Sequence, residues 1–397
     1  MSVRLTGMLV AASFAALGCG KTPAPPPSIV EATSVATTPA DPPTGADGTA
    51  ITAHETIVLP SQGPGIGPNG AGSPATTGTG AVDAPSAPPP ASWPIARKIT
   101  VGFAVSGAAF SADGATLTLV GPGGLKCFSP GDGAPAASPT GAEKLKDLSC
   151  VAYSGDGSRL AVGQAKLSDP GRIFVWDLAA KSEPAVLEGH QKLVAALAWA
   201  RDGHEQLLSG GSDWLVILWD VAKKAPQQTY RGHSEYVTSV ALSPDGKSAA
   251  SVGGDRIVLQ WEVAAPQNKK KQLGHFMTIN TVAYSPDGKM LASGASEGNV
   301  IFWDSARGVQ LHNFFGHKGA VTSLAFSPSG DVLATGCGDG VVRIIDTKVF
   351  KLLAQLEGHT DYVNTVAFSR DGRSLVSSGE DGQAILWQVP AATAAKP

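Results

Sequence analysis

Five Gly-His dipeptides, at 189–190, 232–233, 274–275, 316–317 and 358–359, stand in steps of 43, 42, 42 and 42 residues. A fixed period of that size marks an array of repeated units, each too small to bury its own apolar face and stable only when stacked on its neighbours. Two further markers give the number of units. Tight turns of the form Ser-x-Asp-Gly, or close variants, end at Gly114, Gly157, Gly203, Gly246, Gly288, Gly330 and Gly372. Each follows an apolar strand such as Val282-Ala283-Tyr284, and Asp-Gly is a strong hairpin signal because the turn needs a positive φ that Gly adopts without strain. A later strand ends on a bulky apolar residue at Phe128, Trp176, Trp219, Trp261, Trp303, Ile345 and Trp387. Both markers occur seven times.

A unit of about 42 residues holding four short strands, with Gly-His near one end and Trp-Asp (Trp303-Asp304) near the other, resembles the WD40 repeat family. The resemblance implies an all-β fold, a seven-bladed β-propeller with strand a of each blade innermost and strand d outermost. In the third unit these strands are expected at Leu193–Trp199, Gln206–Ser209, Leu215–Trp219 and Gln228–Tyr230. The chain has almost run out after Trp387, so the last blade lacks an outer strand of its own. Ile95–Val101, ahead of the first complete unit, is placed to supply it and to close the ring, which leaves no terminal blade to fray. The propeller is expected over 93–390, with a tail at 391–397.

The same resemblance assigns a hydrogen-bonded tetrad to each typical blade: the His of Gly-His, a Ser or Thr on strand b, an Asp in the b–c turn and the Trp of strand c. The third unit matches with His190, Ser209, Asp213 and Trp219; the fourth with His233, Ser251, Asp255 and Trp261; the seventh with His359, Ser377, Asp381 and Trp387. The fifth carries His275, Ser293 and Trp303 with Glu297 for Asp. The sixth carries His317, Thr335 and Asp339, with Ile345 where Trp belongs, and the first two lack the pattern. Ser, His and Asp together also suggest a hydrolytic triad. A catalytic site is needed once, however, whereas this constellation recurs at structural spacing, and buried polar atoms must find partners. The tetrads are therefore read as structural. His54, His204 and His312 stand alone with no second ligand at metal spacing, so neither a metal nor another cofactor is expected.

The N-terminal quarter differs in kind. Arg4 precedes an apolar run from Leu5 to Leu17, too short to span a bilayer and typical of a secretory signal. Ala16-Leu17-Gly18-Cys19 resembles a bacterial lipobox, which implies lipidation of Cys19, removal of residues before it and anchoring to an envelope membrane. Residues 20–92 are dominated by Pro, Ala, Thr, Gly and Ser and are expected to form a disordered tether, since they offer too little apolar surface to offset the entropy of ordering. A tethered, exported, monomeric propeller is the organisation this predicts.

Net charge is −3, and charged residues make up 16% of the chain, with no basic stripe of the kind that holds nucleic acid. No C-x-x-C pair occurs among Cys19, Cys127, Cys150 and Cys337; Cys127 and Cys150 are the nearer pair, but spacing does not establish a disulfide. Lys269-Lys270-Lys271 lies on an outer strand, where lysine commonly blocks edge-to-edge association. The resemblance places d–a and b–c loops together on one face. The candidate contact residues there for a protein or peptide partner are Trp214, Tyr236, Arg256, Phe276, Met277 and Tyr362, with Lys192, Glu235, Lys318, Asp361 and Glu380 beside them. Tyr, Trp, Arg and Met are types enriched in binding hot spots. The expected function is a non-catalytic interaction scaffold. The alternatives are a hydrolase or lactonase built in the central channel and a surface lipoprotein without a specific partner. Inner strands such as Val237-Thr238-Ser239-Val240, small, neutral and repetitive, speak against the catalytic alternative.

Overall fold

Short runs of β-branched and other apolar residues, cut by Asp-Gly and similar turn signals, favour brief strands joined by tight hairpins. The computed structural model describes residues 92–166, 170–200 and 206–391. These residues form seven antiparallel sheets of four strands each, a seven-bladed β-propeller, with a single 3-10 turn among the described residues at Ala142–Lys144. We number the blades in chain order and letter their strands a to d outward from the axis.

The expected strand positions are met with small differences. In the third blade strands a to d run Val194–Trp199, Gln206–Gly211, Leu215–Asp220 and Ala225–Arg231. Strand b thus extends through Gly210-Gly211, two residues beyond its expected end at Ser209. These glycines serve close approach: a Cβ on Gly210 would lie 2.6 Å from a methyl of Val237 on the next blade, and one on Gly211 2.6 Å from His190 Nδ1. The ring closes as expected. Ile95–Thr100 pairs antiparallel with Gln383–Gln388, strand c of blade seven, in a register that sets Thr100 opposite Gln383 and Ile95 opposite Trp387.

The core is a series of thin layers, one at each junction between blades. Leu208, Val216, Leu218 and Tyr230 of blade three meet Val237, Val240, Leu259 and Trp261 of blade four in one such layer. Ile99 and Leu119 meet Val376 and Leu386 where the two ends of the chain join. On one rim five a–b hairpins are held locally in the same way: Ser111, Ser154, Ser243, Ser285 and Ser369 each donate a hydroxyl proton to the Asp two residues on, at 2.5–2.7 Å, while blade six sets Ser327 against Ser329. Gly203 and the a–b turn of blade three lie outside the described residues.

The inner strands carry a second periodic device. In blades two to seven each strand a has a bulge, and the bulged residues are Ser149, Ala195, Thr238, Asn280, Thr322 and Asn364. Five of these six side chains donate across the junction to a backbone carbonyl on, or just ahead of, the next inner strand. Ser149 reaches Val194 at 2.5 Å, Thr238 reaches Ile279 at 2.5 Å, Asn280 reaches Val321 at 2.9 Å, and Thr322 reaches Val363 at 2.5 Å. Asn364 reaches Val105 at 3.1 Å, tying the last complete inner strand to the start of the ring. A bulge turns one side chain out of the regular pleat, and here it frees that side chain to stitch neighbouring blades. Ala195 has no group to donate. The polar residues of the inner strands are thereby largely engaged in holding the ring together.

The expected signal peptide, lipidated Cys19 and most of the expected tether lie outside the described residues, as do His54, His204 and most of the tail.

Candidate functional site

The tetrads form with close to the expected geometry. In blade four His233 Nδ1 lies 2.8 Å from Asp255 Oδ2, His233 Nε2 lies 2.7 Å from Ser251 Oγ, and Trp261 Nε1 donates to the same Oγ at 2.8 Å. Blade three repeats this with His190, Asp213, Ser209 and Trp219 at 3.0, 2.7 and 2.8 Å. Blade seven repeats it with His359, Asp381, Ser377 and Trp387, each contact at 2.8 Å. One proton assignment satisfies every member: a neutral imidazole donates from Nδ1 to the carboxylate, accepts at Nε2 from the serine, and the serine oxygen accepts the indole N–H. The Gly before each His is required by the same network, because a Cβ on Gly189, Gly232 or Gly274 would lie within 2.9 Å of the Trp ring.

The carboxylate also shapes the loops. Asp255 Oδ2 accepts the backbone N–H of Ser234 at 3.1 Å, and Asp213 Oδ2 accepts that of Gln191 at 2.8 Å. Each Asp therefore pins a d–a loop to a b–c turn, which brings the two sets of loops onto one face. Burial alone would raise the carboxyl pKa of Asp213 and of Asp255. The histidine bonded to each and the backbone donors outweigh that, so both sit below the ordinary carboxylate range. Glu297 takes the same role in blade five, its longer arm placing Oε1 2.6 Å from His275 Nδ1 and accepting the N–H of Met277 at 3.2 Å.

Blade six departs from expectation. Its Thr335 does bond His317 Nε2 at 2.7 Å, but Asp339 does not pair with His317. Asp339 is held instead by a bidentate contact from the buried Arg343 guanidinium at 3.0 and 2.7 Å. Arg343 faces Thr335 across the ladder, where blade five sets Ile301 opposite Ser293. His317 Nδ1 turns to the carbonyl of Gly298 in blade five at 3.1 Å. Burial first, and the Arg343 charge second, push the His317 pKa down to about 4. The missing Trp leaves room under Gly316 that the Phe314 ring occupies, edge-on to His317 at 5.7 Å between ring centroids.

Blades one and two solve the same place without a hydroxyl. Val162 stands where strand b elsewhere has Ser, and the Trp176 indole donates to the carbonyl of Thr140 at 2.9 Å. In blade one Leu119 and Phe128 occupy the two positions, so no N–H needs a partner. Cys127 and Cys150 are free thiols, as is Cys337. Burial raises all three, Cys150 to about 12 and Cys337 to about 11, which makes them poor nucleophiles at neutral pH.

Ser209, Ser251, Ser293 and Ser377 are wholly buried beneath their Trp partners. A nucleophile must touch its substrate, and these buried hydroxyls meet only groups of their own blade, His, indole and, for Ser209, the Ile217 carbonyl, so the likeness to a hydrolytic triad is one of connectivity alone. Among the described residues no group of three or more His, Cys, Asp or Glu converges as metal ligands would.

The side chains left over for contact lie on the loop face. Trp214, Arg256, Phe276, Met277 and Tyr362 are exposed there, as are Lys192, Glu235, Lys318 and Asp361, whereas Tyr236 is half-buried and lies 3.4 Å from the Thr278 hydroxyl. Arg256 and Phe276 come together at a hollow of about 500 Å³ on the outer corner of blade four. Trp214 stands one blade away in the corresponding b–c turn. Tyr362 stands apart, leading into blade seven and lying where any Cβ on Gly338 of blade six would meet its ring. Glu380 accepts from Asn364 at 2.8 Å, and burial raises its carboxyl pKa. In the Lys269–Lys271 run, Lys269 lies over the Trp261 ring at 5.3 Å and Lys270 donates to the Ala306 carbonyl at 2.5 Å.

Comparison with known proteins agrees with this geometry. The family model described as "WD domain, G-beta repeat" matches five times, at 181–220, 224–262, 267–304, 308–346 and 350–388. These are the third to seventh blades, each match opening in the preceding outer region and ending at strand c. A curated relative, meiotic fizzy-related protein 1 of Schizosaccharomyces pombe, is 37% identical over 70 residues, 18% of this chain and 15% of its own length. The chain thus spans less than a sixth of that relative. With five repeats running from 181 to 388 and tetrads built in the blades they mark, the chain belongs to the WD40 repeat family.

Proposed function

We propose that this protein is a non-catalytic interaction scaffold, tethered to a bacterial cell envelope through Cys19, that docks a protein or peptide on the face formed by its d–a and b–c loops. One observation carries the binding half of this reading. The polar groups of the tetrads are bonded to one another and five inner-strand side chains to neighbouring blades, while large side chains of hot-spot type stand exposed on the loops those tetrads hold. Trp214 is 50% and Phe276 77% exposed, and such residues are costly to leave in water unless something covers them. WD40 propellers generally serve as protein-interaction platforms, in keeping with this.

The anchoring half rests on the chain's first residues. The basic start, the short apolar run and Ala16-Leu17-Gly18-Cys19 support export and lipidation, and Gly20-Lys21 lacks the Asp that some bacteria use for inner-membrane retention. The protein is then a membrane-anchored lipoprotein whose propeller faces the periplasm or the cell surface.

Crosslinked pull-down from envelope fractions tests both halves, with mass spectrometry of the companions and of Cys19. Lipidated Cys19 and a recurring protein companion, lost when Trp214, Tyr236 and Tyr362 are all changed to Ala, are the expected results. An unmodified Cys19 in a cytosolic chain removes the anchor, and companions unaffected by the triple change remove the loop-face site.

A further inference from the structure

Because the repeats superimpose in sequence, each loop position can be compared blade by blade. The residue before Gly-His is Glu188, Arg231, Leu273, Phe315 and Glu357 in turn. The two residues after it are Gln191-Lys192, Ser234-Glu235, Phe276-Met277, Lys318-Gly319 and Thr360-Asp361. Polar residues are the rule at these places. Around blades four and five the rule is broken together by Leu273, Phe276, Met277 and Phe315, which are 67%, 77%, 52% and 71% exposed.

A second departure lies beside the first. The residue after the tetrad acid adopts a left-handed backbone, and blades five, six and seven fill it with Gly298, Gly340 and Gly382 at φ of 86, 78 and 68°. Blade four has Arg256 there at φ 65°, and blade three has Trp214 at φ 71°. A bulky residue in that region is strained by roughly 1–3 kcal/mol, and such strain concentrates at functional positions. Arg256 stands at the lip of the 500 Å³ hollow, together with Lys271, Leu273 and Phe276. The one acid in the lining, Asp255, is already bonded to His233, to the N–H of Ser234 and to that of Ile257. The charge the hollow presents is therefore cationic around an apolar floor.

We propose that this hollow takes an extended acidic segment of a partner protein. One large apolar side chain of the segment lies against Leu273, Phe276 and Met277, and carboxylates on either side of it pair with Arg256 and Lys271. Charge complementarity selects an acidic segment, and the guanidinium can engage a carboxylate through two parallel bonds. The proposal rests on the loop-face reading above and sharpens it to one corner of blade four and one partner chemistry.

Fluorescence polarisation of the full chain with labelled nine-residue peptides tests it. The probes carry a central Leu, Phe or Trp flanked by Asp and Glu, with Lys-flanked and central-Ala versions as comparisons. The acidic apolar peptides should bind at least ten-fold more tightly than either comparison. Phe276→Ser and Arg256→Gly should each weaken them five-fold or more, and Arg256→Gly should unfold at a higher temperature because Gly suits the turn. Absence of a charge preference overturns the proposal. So does undiminished binding by Arg256→Gly, or Phe276-dependent binding to phosphatidylglycerol vesicles with no peptide binding. If native companions are lost from the triple Ala variant of the loop face while the peptides show no preference, only the hollow is refuted. If companions survive that variant, the broader loop-face reading is what fails.

Discussion

Blades four and six share a forty-two-residue period and its Gly-His, Ser-Pro and Gly-Asp landmarks, yet they close their polar centres differently. In blade four the carboxylate of Asp255 belongs to His233, and Trp261 caps the serine between them. In blade six Arg343 takes the carboxylate of Asp339, His317 turns to the neighbouring blade's Gly298, and Phe314 fills the room left by the missing Trp. Both arrangements pair the buried acid and hold the d–a loop, since Lys318 N–H still donates to Asp339 at 3.2 Å. The comparison teaches that an acid placed at this point must be satisfied, and that the tetrad is not the only way to satisfy it. Blades one and two extend the lesson, because there Leu119 and Val162 replace the hydroxyl and the Trp176 indole finds a backbone carbonyl instead.

The largest effect expected from breaking the comparison is in blade six. Arg343→Ala leaves the half-buried Asp339 without its cation, with the N–H groups of Lys318 and Val341 left to it, and should cost about 1.5–3 kcal/mol, seen as a clear fall in the thermal midpoint. The combined change Arg343→Ile, Ile345→Trp and Phe314→Leu rewrites blade six in the pattern of its neighbours, with Leu as found at Leu187 and Leu356. It should recover most or all of that loss. A triple variant no more stable than Arg343→Ala would mean that the two solutions are not interchangeable.

Proton linkage separates the blades next. The folded His317 titrates near 4, below its ordinary value of 6.5. Between those values the unfolded chain binds the extra proton, so stability is full above about pH 6.5 and falls as pH drops toward 4. The loss at pH 4.5 is on the order of 2 kcal/mol. Denaturation midpoints from pH 7 to 4.5 check this, and His317→Gln, whose amide can donate to Gly298 and accept from Thr335, should flatten that part of the profile. The carboxylates of Asp213, Asp255 and Glu297, all depressed in the folded state, contribute stability that is lost only at lower pH, as each is protonated.

A smaller effect is expected in blade five. Glu297→Asp restores the acid of blades three, four and seven, so the midpoint should move by the equivalent of less than about 1 kcal/mol. The shorter arm should transfer its backbone contact away from Met277. Amide chemical shifts at Phe276 and Met277 would register that, and unchanged shifts would show that the acid does not set this loop.

Much of this architecture was legible in the sequence because a repeat prints each structural rule several times. Blade number, ring closure by a strand expected at Ile95–Val101 and found at Ile95–Thr100, and the tetrads of blades three, four and seven all follow from spacing and resemblance. The exchange in blade six was hidden because Asp339 and His317 are both present in sequence. The usable signal was a double departure on one strand, Arg343 for an apolar residue and Ile345 for Trp. The stitching bulges were missed for a different reason. Ser149, Thr238, Asn280, Thr322 and Asn364 recur at one position of the inner strands, but their meaning depends on a register shift that no residue type announces. Trp214 and Arg256 were picked out by residue type. Their strain became visible only once the turn showed a left-handed backbone that three other blades give to Gly.

The central claim is that the Ser-His-Asp-Trp groups are internal supports and that recognition is left to the loops they carry. Thermal unfolding of Ser251→Ala tests it most directly, because that change strands the Trp261 indole N–H and His233 Nε2 together while touching no exposed group. The account predicts a loss of about 1–3 kcal/mol, read as a lower midpoint, with the same companions captured by the folded fraction. An unchanged midpoint accompanied by loss of those companions would contradict it.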